Sequence, residues 1–500
     1  MKITQANRPL QERDIKSWTH STEVLVVGYG GAGSCAALEA ARAGAKVTIV
    51  EVAGGGGGTT AMCGGHVYAG GGTPVQKANN FEDSPENLYQ YLMKTADFQD
   101  PDKARLYADN SVDHFNWLEE QGIPFRRDYF PTRHNLQPDG TCLIWTGNEK
   151  AWPFTEVAKP APRGHKVDGD GNAGHLIMKA LIAQIEQLPI QTYFDTAVNQ
   201  LIVDDAGRVI GVAAIQFGEA QYFKAEKGVI LTAGGFIMNH TMVANHIPDL
   251  GEDTIDHGSP YDDGSGIQLG ISVGGAAIHM ADYFVCLPFY PPEDLTYGLL
   301  INNQGQRFIN EDCYHSRIGY AAMNQRDNEA YLIVDNSCYD IPDINQYAGE
   351  MGGGFPGTEG SGYSIEHVAT EANIADLEAA LGLPLNTLQN TMAIYNENAA
   401  NGNDPLFHKS ASWLKPLDNG PYAAFDVSLG KAPYTAFTLG GLSTLPTGEV
   451  LDERGEAVVG LYSAGRNSCG LPRTSSGYSS GISVGDATFF GRLAGKTIAS

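Results

Sequence analysis

The sequence predicts an α/β fold built on a discontinuous Rossmann-like domain, its two parts separated by an inserted α+β domain. Three observations carry that reading. The β-branched run 24–27 leads straight into Gly28-Tyr29-Gly30-Gly31-Ala32-Gly33 and then into an alanine-rich helix. Apolar strands ending in glycine turns recur over 229–235 and 460–465. Between about residues 284 and 433 these turns thin out and mixed polar helices take over.

Taken in order, the first helix covers residues 32–43 and stops at Gly44. A second strand, 46–50, delivers Glu51, which completes strand, turn, helix and strand within about 30 residues. Ser84-Pro85-Glu86 opens a helix with a serine cap and proline in its first turn, and 101–121 form a second amphipathic helix. After a helix from Gly174, the segments 190–194, 198–203, 209–216 and 221–224 read as a β-meander that closes on the strand beginning at Val229. The mixed polar helices of the interrupting region include the stretch 373–399, and the chain ends with a helix over 481–499. The expected division is a nucleotide-binding domain formed by residues 1–283 and 434–500, with 284–433 as a catalytic domain that caps the substrate.

Composition narrows the functional class. With 500 residues, 42% hydrophobic and 18% charged, the chain can bury a sizeable core in more than one domain. A net charge of −26 argues against nucleic acid, which needs clustered Lys and Arg, and offers no polybasic membrane patch. Residues 1–20 lack the apolar run of a signal peptide, and no apolar stretch reaches the roughly 18 residues of a membrane span. A cytoplasmic protein is expected. Cysteines 35, 63, 142, 286, 313, 338 and 469 are scattered without a C-x-x-C pair, so no metal site is expected and any redox cofactor is organic.

In the first glycine turn, Gly28 permits the bend, Gly30 lets backbone approach a pyrophosphate, and Gly33 lets helix pack on strand, with Gly31 and Ala32 between them. Glu51, followed by Val52, is placed for an unphosphorylated ribose, which favours FAD or NAD over NADP. The second glycine loop, 54–58, selects FAD. Its residues Gly57, Gly58, Thr59 and Thr60, and then Cys63, Gly64 and Gly65, stand where folds of the glutathione-reductase type pass the pyrophosphate and flavin. Thr232-Ala233-Gly234 and Gly465-Arg466 match the segments that close over FAD, and Ala197, Val198, Asp263, Gly481, Ile482 and Ser483 complete the expected cofactor site. A binding protein retaining only the dinucleotide fold, such as a Rab escort-type regulator, would need neither four such loops nor a phenolic pocket.

The residues resemble the flavoproteins of fumarate reductase, succinate dehydrogenase and the 3-ketosteroid dehydrogenases. The likeness covers nearly the whole chain, including 262–266 and 303–311, and is greatest to the Δ4-(5α)-type ketosteroid dehydrogenases over 70–77, 464–466 and 477–481. The departures from the dicarboxylate branch are informative. Leu287 stands where fumarate reductases carry a histidine before proline, Phe437 replaces another histidine, and Tyr478 takes the place of the substrate arginine. Cationic partners for two carboxylates have given way to apolar and phenolic groups, which suits a neutral ketone. Gly58 occupies the position of the flavin-linked histidine, so the resemblance implies non-covalent FAD.

The implied reaction introduces a C=C bond α,β to the ketone of a cyclic 3-oxo compound, a 3-ketosteroid or a smaller ring. It combines α-proton abstraction with hydride transfer to flavin N5, and an enone or fumarate-type reductase is the same chemistry in reverse. The resemblance gives carbonyl polarisation to Tyr478 with the Gly481 backbone, a relay to Ser480, and the base to Tyr314, then His315, with Arg317 nearby. Trp117, Trp145, Trp152, Phe289, Tyr290 and Tyr297 are candidates for narrowing the pocket. The expected partners are a small hydrophobic ketone and an electron acceptor of unspecified identity, and the oligomeric state stays open.

Overall fold

Strand β1 (His20–Val27) is buried from Val24 to Val27, as a strand covered on both sides must be. It turns into helix α1 (Gly31–Arg42), and the chain returns through β2 (Val47–Val50), parallel to β1 with Val27 opposite Val50. The computed structural model describes residues 8–97, 99–338, 365–471 and 474–500. Residues 1–7 lie outside these, as do 339–364 of the interrupting region.

Among the described residues the main sheet has nine strands. β2 is flanked by β3 (Gln191–Tyr193), parallel to it. β4 (Thr196–Val203), β5 (Val209–Gln216) and β6 (Glu219–Leu231) run as an antiparallel meander, and β6 then lies parallel to β1. The last part of β6 also pairs with β7 (Ala457–Ser463), which places Leu231 between Val27 and Ser463. Helix α2 (Ile482–Ala499) packs along α1 and buries Phe490, Ala494 and Ile498.

Two sequence expectations change here. The segment at 190–194 is not part of the meander; β3 extends the parallel side of the sheet beyond β2. The segments 221–224 and 229–231 are one 13-residue strand, with a register shift between Ala225 and Gly228. Such a bulge bends a strand without ending it, so its charged stretch read as a gap.

Residues of the interrupting region build a four-stranded antiparallel sheet (Leu299–Asn302, Ala330–Asp335, Tyr422–Asp426, Glu366–Glu371) with helices His315–Met323, Ile374–Ala380 and Thr387–Ala400. Its two connections to the rest run side by side, because Tyr283–Cys286 pairs antiparallel with Thr435–Thr438. We propose the division at 283/284 and 433/434 on this placement, the first cut falling inside a strand.

A small sheet of His66–Tyr68, Leu143–Ile144 and Gly164–Lys166 forms the floor beneath the last helix, since Tyr68 N donates to Gly481 O at 3.0 Å. It is anchored by Arg163, whose Nε and Nη2 donate to Asp83 at 2.9 and 2.8 Å with both side chains fully buried. Breaking such a pair leaves an uncompensated buried charge. Arg163→Met is expected to lower stability by about 3–5 kcal/mol, seen as a lower denaturant midpoint in urea unfolding followed by fluorescence.

Candidate active site

A cavity of about 620 Å³ opens where β1, β6 and β7 end together. The backbone of the first turn explains how it stays open. Gly28 has φ +104°, and a Cβ there would lie 2.6 Å from Thr232 O; a Cβ on Gly33 would lie 2.0 Å from Gly28 O. Those two glycines are demanded by the protein itself. Gly30 differs, because a Cβ there would meet nothing nearer than Gly57 O at 3.9 Å. The space it leaves belongs to the cavity.

The second loop is tied to the first, Gly57 N donating to Tyr29 O at 2.8 Å and Gly31 N to Thr60 Oγ1 at 3.2 Å. Helix α1 starts here without a side-chain cap, so its opening N–H groups and dipole suit an anion. Glu51 sits at the rim, with Oε2 accepting from Tyr29 N at 2.6 Å and Oε1 from Ala53 N at 2.9 Å. Burial raises its pKa, and these backbone donors oppose the rise. An anion cradle beside a pinned carboxylate fits the pyrophosphate and ribose of a dinucleotide.

Most of the residues expected from sequence line this cavity: Gly28, Gly30, Gly31, Ala32, Glu51, Val52, Gly58, Thr59, Thr60, Cys63, Gly64, Ala197, Val198, Thr232, Ala233, Gly234, Asp263, Gly465, Arg466, Tyr478, Ser480, Gly481 and Ser483. Gly33, Gly57, Gly65 and Ile482 do not, and neither do Tyr314 and His315. His66, Asn135, Leu136, His257, Asp262 and Phe284 line it without having been picked out. Asp262, not Asp263, is the acid tied across the opening: it accepts from Thr59 Oγ1 at 2.7 Å and pairs with Arg466 Nη2 at 2.5 Å. The adjacent Asp263 Oδ1 instead accepts from Ser265 N at 2.9 Å.

One end of the cavity is aromatic and hydroxylic. Phe284 stacks on Phe437 at 4.5 Å and meets Tyr478 edge-on at 4.5 Å. Burial pushes the Tyr478 phenol up to about 12, so it stays protonated, and its Oη donates to Ser483 Oγ at 3.0 Å. Helix α2 begins beside it at Ile482, again without a side-chain cap. Behind Ser480 lies Tyr314, whose Oη makes a short hydrogen bond to Ser480 Oγ and whose N donates to Asn148 Oδ1 at 2.8 Å. Burial holds the Tyr314 phenol well above its ordinary range.

His315 supports this wall from behind. Its ring lies 3.9 Å from that of Tyr314, Nδ1 bonds Asn135 Oδ1 at 3.0 Å, and burial lowers its pKa to about 3. Leu287 is likewise core, not lining, whereas Phe437 and Tyr478 face the cavity. None of Trp117, Trp145, Trp152, Phe289, Tyr290 and Tyr297 lines it: Trp117 stacks on His114, Trp145 meets Phe81 edge-on, Trp152 stacks on His408, and Tyr297 packs tilted against Trp413. Among the described lining residues the single Lys or Arg is Arg466, already paired with Asp262. His66 and His257 are lowered by burial to about 4 and are neutral at neutral pH.

Comparison with known proteins gives this arrangement a family. Residues 23–479 match the FAD binding domain family. A crystal structure of 3-ketosteroid-Δ4-(5α)-dehydrogenase from Rhodococcus jostii RHA1, in complex with 4-androstene-3,17-dione, is similar over 99% of this chain and 100% of that one, with TM-score 0.91 and 37% identity. The 3-oxo-5-alpha-steroid 4-dehydrogenase of Comamonas testosteroni is 28% identical over 90% of this chain and 94% of its own length. A cytochrome-type fumarate reductase of Shewanella frigidimarina is 27% identical over 97% of this chain and 78% of its own. The chain belongs to the FAD binding domain family, and it is an FAD-dependent oxidoreductase.

The glycines make the cofactor fit testable. Gly30→Ala should fold with an unchanged melting temperature, because the protein leaves room for the methyl group. It should bind FAD at least about tenfold more weakly, since that methyl enters the space reserved for the pyrophosphate; titration of apoprotein with FAD, followed by flavin fluorescence, measures this.

Proposed function

We propose that this member of the FAD binding domain family desaturates a neutral cyclic 3-oxo compound of the 3-oxosteroid class at the bond α,β to its ketone. The observation that carries the reading is the Phe284, Phe437 and Tyr478 wall facing a cavity whose one arginine among the described lining residues is held in an ion pair by Asp262. A dicarboxylate would need free cations there. A flat apolar ketone needs contact area and one donor. The similarity to a steroid dehydrogenase structure over the full chain supports the substrate class.

In this reading Tyr478, held protonated, donates to the ketone oxygen, assisted by backbone N–H at Gly481 and the start of α2. Tyr314, once deprotonated, is the base: Ser480 Oγ accepts the proton from the α-carbon while passing its own hydroxyl proton to the Tyr314 oxygen hydrogen-bonded behind it, so the proton ends on Tyr314. His315 serves by fixing the Tyr314 ring. Bound FAD supplies the acceptor for the hydride that leaves the β-carbon. The α C–H and β C–H bonds break and the C=C bond forms, so the substrate loses two electrons and two hydrogens in all. The same groups serve the reverse direction, with a separate electron donor.

Gly58 stands where a covalent flavin link would need a nucleophile, so FAD is held non-covalently. Cysteines 35, 63, 142, 286, 313 and 338 form no disulfide, which suits the cytoplasm, and among the described residues no helix is long and apolar enough to cross a membrane.

Anaerobic mixing of the oxidised holoenzyme with a saturated 3-oxo-5α-steroid should bleach the flavin within the turnover time, whereas succinate should not. Bleaching by succinate, or none by steroids and cyclohexanones alike, would contradict the assignment. Tyr478→Phe and Tyr314→Phe should each slow that bleaching by about 100-fold or more with FAD still bound. The Tyr314 phenol is raised above its ordinary value near 10, so its base form appears only as pH rises. Bleaching rates should therefore climb through the alkaline range without a neutral plateau, and Tyr314→Phe should flatten the profile.

A further inference from the structure

We infer that Arg466, moderated by its ion pair with Asp262, sets the reduction potential of the bound flavin and with it the favoured direction of the reaction. The guanidinium is only 13% exposed, and its Nη2 is committed to Asp262, itself 5% exposed. Its Nη1 is buried and has no hydrogen-bond partner. The guanidinium charge is thus compensated on the Asp262 side only, and the residue borders the cavity that the cofactor fills.

Which part of the cofactor it meets follows from its neighbours. The pyrophosphate and ribose features lie at the start of α1 and at Glu51. Arg466 instead borders the catalytic end: its Cζ is 5.2 Å from the centre of the Phe437 ring, which contacts Tyr478 and Phe284. Its field reaches the same groups. Burial dominates the titration of Tyr478, Cys63 and His257, and on each of them the Arg466 charge pushes the pKa down.

A fixed positive charge at that end stabilises the electron-rich, reduced ring more than the neutral oxidised one, so it raises the potential and favours taking electrons from a saturated ketone. Asp262 subtracts part of that field. With Tyr478 in the place of a substrate arginine, the cation that remains at this end is Arg466, and its charge acts on the cofactor. This rests on FAD occupying the cavity with its ring toward Tyr478, as in the reading above.

The test is the midpoint potential of substrate-free holoenzyme, measured by reductive titration against a reference dye. Arg466→Met should reduce the preference for reduced over oxidised flavin at least tenfold, which for a two-electron couple is a fall of about 30 mV. Arg466→Lys, which keeps the charge, should stay within threefold of the parent, and Asp262→Asn should shift the preference the other way. Equal potentials in all four proteins would overturn the inference. So would an equal fall in Arg466→Met and Arg466→Lys, which would mean shape and not charge. If Arg466→Met fails to retain FAD, Asp262→Asn decides: an upward shift supports the inference and no shift overturns it. A parent protein that purifies without flavin would end the cofactor reading itself, which keeps the two failures distinguishable.

Discussion

The register that sets Leu231 between Val27 and Ser463 is the constraint on which the rest depends. Three parallel strands, from distant parts of the chain, end level with one another, so the three glycine turns that follow must meet at one edge of the sheet. Thr232 reinforces the alignment by donating from Oγ1 to Val27 O at 2.8 Å, and its carbonyl lies where any side chain at Gly28 would go. Ligand sites in open α/β sheets form outside the carboxyl ends of the strands. Slipping any one strand by a residue would carry its turn off that edge and close the cavity.

Around this edge the labour is divided by chemistry. The backbone of the first two loops supplies N–H groups and space, and Glu51 supplies an acceptor, so cofactor recognition needs few side chains. Reactivity is brought from elsewhere. Phe284 and Phe437 arrive on the paired strands that carry the chain into and out of the interrupting region, and Tyr478 to Ser480 arrive on the approach to α2. Tyr314 comes from the interrupting region and meets Ser480 from behind. A site assembled from several separate segments can change its substrate by altering a few of them while the cofactor edge stays intact.

That division also explains what was legible in the sequence. The cofactor edge is written locally: glycine spacing, an acid at a strand end and a threonine after another, each constrained by backbone geometry within a few residues. The strand and helix content near these motifs was legible for the same reason. The substrate end is not local. His66, Asn135 and Phe284 carry no motif, and their place at the cavity follows from strand pairing and from the amide of Asn135 reaching His315. The aromatic residues singled out for the pocket were chosen by type, and type does not distinguish a pocket from a core; Trp152 against His408 and Tyr297 against Trp413 are packing. Asp262 was not picked out because nothing local marks it before the loop is folded and it meets Thr59 and Arg466.

The central claim is that a neutral ketone is held between the flavin and the Tyr478 wall. A crystal structure of the holoenzyme with an unreactive 3-oxo-4-ene steroid tests it most directly. The account predicts the ketone oxygen within hydrogen-bond distance of Tyr478 Oη, with the ring system flat against the apolar face formed with Phe284 and Phe437. A ligand whose ketone oxygen is bound by Arg466, or that lies away from Tyr478 altogether, would contradict it.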